Sequence, residues 1–142
     1  MRHNVKKIKF NSGKDANRSL VRKLAVNFLD NGYLQTTLPK AKVLKTFIER
    51  MVTKMKVRSE SNKNFLLKHL GSVKVVKDGF ERVGPALVKI QGGYVRIVKI
   101  GTRTNDGSLV ARVEWSYPVV KEIVKKTVKK VKQEKAKEIE KK

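Results

Sequence analysis

Cysteine is absent from the chain, and there are only two histidines, His3 and His69. The first absence excludes a disulfide framework, a thiolate zinc site and a thiol nucleophile. The second leaves no Ser-His-acid set, and His69 has no His, Cys or carboxylate at metal-ligand spacing. Carboxylates are not clustered for metal-dependent phosphoryl chemistry, so neither an enzyme nor a cofactor is expected. Aromatic residues are also few, at 6%, too few for a sheet that reads single-stranded bases by stacking. No apolar run approaches the roughly 20 residues that span a bilayer, and the N-terminus lacks the apolar core of a signal peptide. The expectation is a soluble intracellular protein without a membrane partner.

Acidic residues are the other shortage. Asp and Glu number 12 against 35 Lys and Arg, a formal charge of +23. Self-repulsion on that scale is tolerated when a polyanion supplies the counter-charge, so nucleic acid is the leading partner. Residues 1 to 58 carry a net +12, residues 59 to 118 a net +5 and residues 119 to 142 a net +6. A chain of 142 residues suits one domain with a modest core. The expected division is a basic arm over 1–16, a single domain over 17–118 and a Lys-rich extension over 119–142.

The arm holds Arg2, His3, Lys6, Lys7, Lys9 and Lys14 without a sustained helical period. Such a segment can order itself against RNA while neutralising phosphates. From Asn17 to Asp30 the residues Leu20, Val21, Leu24, Ala25, Phe28 and Leu29 make one helical stripe, with Arg18, Arg22 and Lys23 away from its centre. Gly32 closes that helix. Tyr33 to Thr37 has the composition of a short strand, and Thr37 is placed to cap a second helix with Pro39 in its first turn. That helix, Leu38 to about Lys56, repeats the pattern with Ala41, Leu44, Ile48, Met51, Val52 and Met55 on its stripe. At the joint, Thr36 and Thr37 followed by Lys40, Lys42 and Lys45 bring hydroxyls, a helix N-terminus and cations together, which suits a phosphate.

Ser59 or Ser61 can cap a third helix through Phe65, Leu66, Leu67 and Leu70, closed by Gly71, with His69 structural or solvent-facing. A fourth helical segment is expected from Ser72 through Val73, Val76, Phe80 and Val83, stopped by Gly84-Pro85, with a strand over Val73 to Val76 as the alternative. Gly92-Gly93 is no nucleotide loop, and serves either a sharp turn or close approach of a phosphate. Two strands follow, Tyr94 to Ile100 and Leu109 to Ser116, joined by a hairpin containing Asn-Asp-Gly. The second alternates cleanly; the first does not, which predicts the more central place in the sheet. Val120, Ile123, Val124, Val128 and Val131 form a narrow stripe in the extension. The fold expected is α/β in the α+β sense, helix-strand-helices-β-hairpin in two layers, a small sheet packed by helices.

Several of these pieces occur together in one family. Met1-Arg2-His3, Asn17-Arg18, the joint Gly32-x-x-x-Thr36-Thr37-Leu38-x-Lys40-Ala41-Lys42, and Gly92-Gly93-Tyr94-x-Arg96-Ile97-x-Lys99 with Asp106 in the hairpin resemble protein seventeen of the bacterial large ribosomal subunit. The likeness covers residues 1 to about 116. It implies a structural constituent of the cytoplasmic ribosome, one copy per particle. Large-subunit rRNA near the outer region of the peptide exit tunnel, and neighbouring large-subunit proteins, would be its partners. It also implies RNA contacts at Arg2, His3, Arg18, Arg22, Thr36, Thr37, Lys40, Lys42, Tyr94, Arg96 and Lys99. The arm's other lysines, Lys45 and the hairpin's Arg103 complete the candidate set. Asn4-Val5-Lys6-Lys7-Ile8-Lys9-Phe10 stands where the family carries an Arg-rich run, and the extension has no counterpart. The alternative, from charge alone, is a sequence-tolerant DNA-binding nucleoid protein.

Overall fold

The protein is described from a computed structural model, which covers Phe10 and residues 13–119. Helix α1 (Gly13–Asn31) begins four residues before Asn17, so Lys14, expected in the arm, lies in its first turn. Asn17 Nδ2 donates to the Phe10 carbonyl at 2.8 Å and ties the preceding chain to the helix. Ala25, Phe28 and Leu29 are buried while Leu20, Val21 and Leu24 are half-buried, so one face packs and the opposite face stays wet. Gly32, at φ +80°, ends the helix and donates to the Phe28 carbonyl at 2.8 Å.

Strand β1 (Tyr33–Thr37) leads directly into α2 (Leu38–Met55), the most buried element. The six apolar residues of its predicted stripe are all at most 1% exposed. Thr37 occupies the N-cap position, but its hydroxyl makes no capping bond, a departure from the expected cap. In α3 (Glu60–Leu70) Ser59 does cap, its Oγ accepting from Asn62 N at 3.2 Å. Gly71, at φ +73°, closes the helix as expected.

Gly84-Pro85 does not stop the fourth segment. Helix α4 (Val73–Asp78) runs through a π-helical turn (Gly79–Val83) into α5 (Gly84–Leu87), and no strand forms over Val73 to Val76. The wider turn bonds Gly84 N back to Gly79 O, five residues away, and relieves the clash a proline ring makes inside a regular helix. The glycine is there for packing: a Cβ at Gly84 would lie 2.4 Å from the Met55 carbonyl oxygen. The helix therefore extends into the stretch from 86 that looked like pure connection.

Strands β2 (Val95–Thr102) and β3 (Leu109–Trp115) form the hairpin, and β1 adds to the far side of β3, so the three-stranded antiparallel order is β1-β3-β2. β3 is central and β2 is an edge, the reverse of the expectation. The poor alternation of β2 has two sources: Val98, in register opposite Arg112, is an apolar residue on the open face, and a register shift between Lys99 and Gly101 throws the exposed Ile100 out of step. One sheet face, with Leu34, Ala111, Val113 and Val95, packs on α1 and α2 around a single core. Trp115 bridges the layers, its ring 4.7 Å from that of Phe28.

Candidate nucleic-acid interface

Among the described residues no polar or charged side chain is fully buried, so every cation reaches the surface, and the question is which ones the fold itself employs. Three are employed. Arg22 reaches from α1 to donate to the His69 and Lys68 carbonyls at 3.0 Å each, satisfying acceptors at the C-terminal end of α3. Arg82 grips Asp78 through Nε at 3.0 Å and donates to the Leu29 carbonyl at 2.6 Å, doing the same for α1. Lys56 donates to the Ile90 carbonyl and lies 4.6 Å above the Tyr94 ring.

The expected RNA contacts divide accordingly. Tyr94 is a correction: at 2% exposure it is core, with no ring face left for a base or phosphate. Its position just before β2 hid this, because the turn at Gly93 (φ +68°) folds the ring inward under Lys56. Arg22 is half-buried and occupied with α3. Arg96 Nε pairs with Glu114 Oε1 at 2.7 Å, and Arg103 Nη1 lies 3.6 Å from Asp106 Oδ2 inside the hairpin loop. That loop is held by Asp106, which accepts from Ser108 N and Oγ. The Ser108 hydroxyl and backbone bonds hold the Asp106 carboxyl below the usual range.

Lys14, Arg18, Lys42 and Lys99 are exposed and Lys40, Lys45, Thr36 and Thr37 half-buried, and no ion pair among the described residues uses any of these lysines or Arg18. They do not share one surface. Thr36 and Lys99 flank Ala111 in the same row across the sheet. At about 100° per residue, Lys42 and Lys45 lie on the flank of α2 that carries Glu49, whose Oε1 accepts from Val95 N. Lys40 lies on the other flank, with Phe47, Arg50 and Lys54, toward α1 and α3. Arg2, His3, Lys6, Lys7 and Lys9 lie outside the described residues, as does the extension beyond Val119 with its apolar stripe.

Of that second flank the candidate set named Arg18, Arg22 and Lys40 but missed Arg50, Lys54, Lys68 and the aromatic side chains among them. His69 meets Phe65 at a tilt of 51° with centroids 4.5 Å apart and Phe47 edge-on at 6.0 Å. Partial burial and then the positive charges of Lys68, Arg50, Arg18 and Arg22 push its pKa below 6.5. Lys54 Nζ stands 5.9 Å from the Phe65 centroid. The available signal was spacing: Arg18/Arg22 and Arg50/Lys54 are i,i+4 pairs outside their apolar stripes.

The family described as ribosomal protein L17 matches residues 20–116, the part of the chain that makes the helices and the sheet. The chain belongs to the ribosomal protein L17 family. Large ribosomal subunit protein bL17 of Coprothermobacter proteolyticus is 35% identical over 116 residues, covering 82% of this chain and 99% of that protein. The bL17 of a Sulfurihydrogenibium species is 37% identical over 120 residues, 83% and 99% respectively, and that of Neorickettsia sennetsu 36% over 116, 81% and 99%. The resemblance read from the joint and the late strand thus holds at the level of the whole L17 domain.

Proposed function

We propose that this L17 chain is a non-enzymatic structural constituent of the large subunit of the cytoplasmic ribosome. It holds large-subunit rRNA by neutralising phosphates and sits against neighbouring ribosomal proteins, one copy per particle. The observation that carries the reading is the family match across the folded residues 20–116. The physics agrees with it: a net charge of +23 needs a polyanion. The lysines of the joint, Lys40, Lys42 and Lys45, have no ion pair among the described residues and stand on α2, which the core holds against α1 and β1. Nothing in the fold or the comparisons favours duplex DNA. No helix among the described residues is long and apolar enough to cross a membrane.

Sedimentation of a lysate through a sucrose gradient at high salt tests the assignment. The expected result is stoichiometric retention in large-subunit particles; a chain that runs free or with chromosomal DNA refutes it. At the site, Lys40→Ala and Lys42→Ala, each removing a side chain with no ionic partner among the described residues, are expected to weaken rRNA binding without changing the thermal midpoint. Unchanged affinity removes the joint from the binding surface.

A further inference from the structure

Three helices each turn one pair of side chains toward a common facet: Arg18 and Arg22 from α1, Arg50 and Lys54 from α2, Lys68 and His69 from α3. Arg22 bolts α1 to α3 through two 3.0 Å bonds, which fixes the spacing of the other cations. Arg18, Arg50, Lys54 and Lys68 are exposed, and none has an ionic partner among the described residues. The neighbouring acid Glu49 is turned away to Val95 N. Several cations outside the facet do have acidic partners: Lys63 with Glu60, Lys77 with Glu81, Arg82 with Asp78, Arg96 and Arg112 with Glu114, Arg103 with Asp106. Repulsion among cations concentrated on one rigid facet is relieved by an anion that spans them. An RNA backbone does so by exchanging condensed counterions for fixed side chains.

We infer that the α1-α2-α3 facet is a second rRNA-backbone site, on the flank of α2 opposite Lys42 and Lys45, in which Arg18, Arg50, Lys54 and Lys68 contact phosphates over a floor of Phe47, Phe65 and His69. Arg22 is its positioning residue. The inference rests on the rRNA-binding reading and adds the surface that performs it. His69 reports on the site, because the cations facing it, Lys68, Arg50, Arg18 and Arg22, lower its pKa and a bound phosphodiester opposes them.

The experiment titrates the full chain with a transcript of large-subunit rRNA across salt. It compares the parent, the variant R50Q/K54Q/K68Q, and a charge-matched variant K63Q/K77Q/K89Q taken from outside the facet. The facet variant is expected to bind with a log affinity–log salt slope shallower by about 2 to 3. Its affinity loss between about 50 and 200 mM salt is then roughly 15- to 60-fold smaller than the parent's. The charge-matched variant keeps the parent slope, and NMR titration shows the His69 pKa rising when RNA is added. A parental slope in the facet variant, an equal drop in both variants, or a His69 pKa that stays put overturns the site while leaving the parent's binding intact. Failure of the parent to bind overturns the site and the proposed function together.

Discussion

Replacing Gly84 by alanine tests the packing that lets the fourth helix run on. Its backbone, at φ −55° and ψ −59°, is ordinary helix, so propensity alone favours alanine by about 0.5 to 1 kcal/mol. The added Cβ, however, would sit 2.4 Å from the Met55 carbonyl oxygen and 3.2 Å from its carbon, where ordinary contact begins at 3.4 Å. Both atoms are backbone of α2, so no rotamer change relieves the clash, and the helices must part by about 1 Å. Overpacking of this kind costs about 1 to 3 kcal/mol. Contact with backbone belongs at the upper end, leaving a net loss of about 2 kcal/mol, which lowers the thermal midpoint by roughly 8 to 16 °C. Gly79 provides the graded comparison, since its Cβ would meet Cε and Sδ of Met55 at 2.8 and 2.9 Å, atoms that can swing aside. Gly92 is the control, with nothing within 4 Å. The expected order of denaturation midpoints is Gly92→Ala, then Gly79→Ala, then Gly84→Ala lowest. A Gly84→Ala protein as stable as the parent refutes the close-approach reading and restores the glycine as a mere helix breaker.

Arg82→Ala is expected to cost about 2 to 3 kcal/mol in urea unfolding, because it strips a charged donor from both Asp78 and the Leu29 carbonyl. Arg82→Lys recovers only part of this, since the fork is lost; full recovery argues that charge alone matters. Leu44→Ala, at a position 1% exposed, should cost about 2 to 5 kcal/mol and leave the rRNA affinity of the folded fraction unchanged. Because the folded-state pKa of His69 is depressed below 6.5, the unfolded chain takes up its proton first as pH falls. The stabilising contribution is present above 6.5 and is lost as pH drops through the folded-state value. Midpoints measured across that window should fall with acid in the parent and show a smaller slope in His69→Gln; identical slopes remove His69 as the source.

What the sequence by itself determined was whatever its own period could encode. The stripe of α2, the β1 strand, the Gly32 and Gly71 helix ends and the Asp106 hairpin all depend on residues within a few positions, and all stand where expected. Composition likewise determined the kind of partner, because net charge needs no fold. The family was legible at the joint and in Gly92 to Lys99, where short motifs keep their order and spacing. Only the tertiary structure decided which cations are free to meet RNA. Arg22 finds its acceptor 47 residues away, Arg82 53 away and Lys56 34 away, distances at which chain periodicity carries no information. The same holds for the sheet order, where β1 reaches β3 across most of the domain, and an exposed Val98 with a one-residue bulge after Lys99 gave β2 the pattern of a central strand. It holds for Gly84 too, whose neighbour across the helix contact is a carbonyl of Met55. Local pattern sets each element's faces; packing between distant elements decides which charges remain for a ligand.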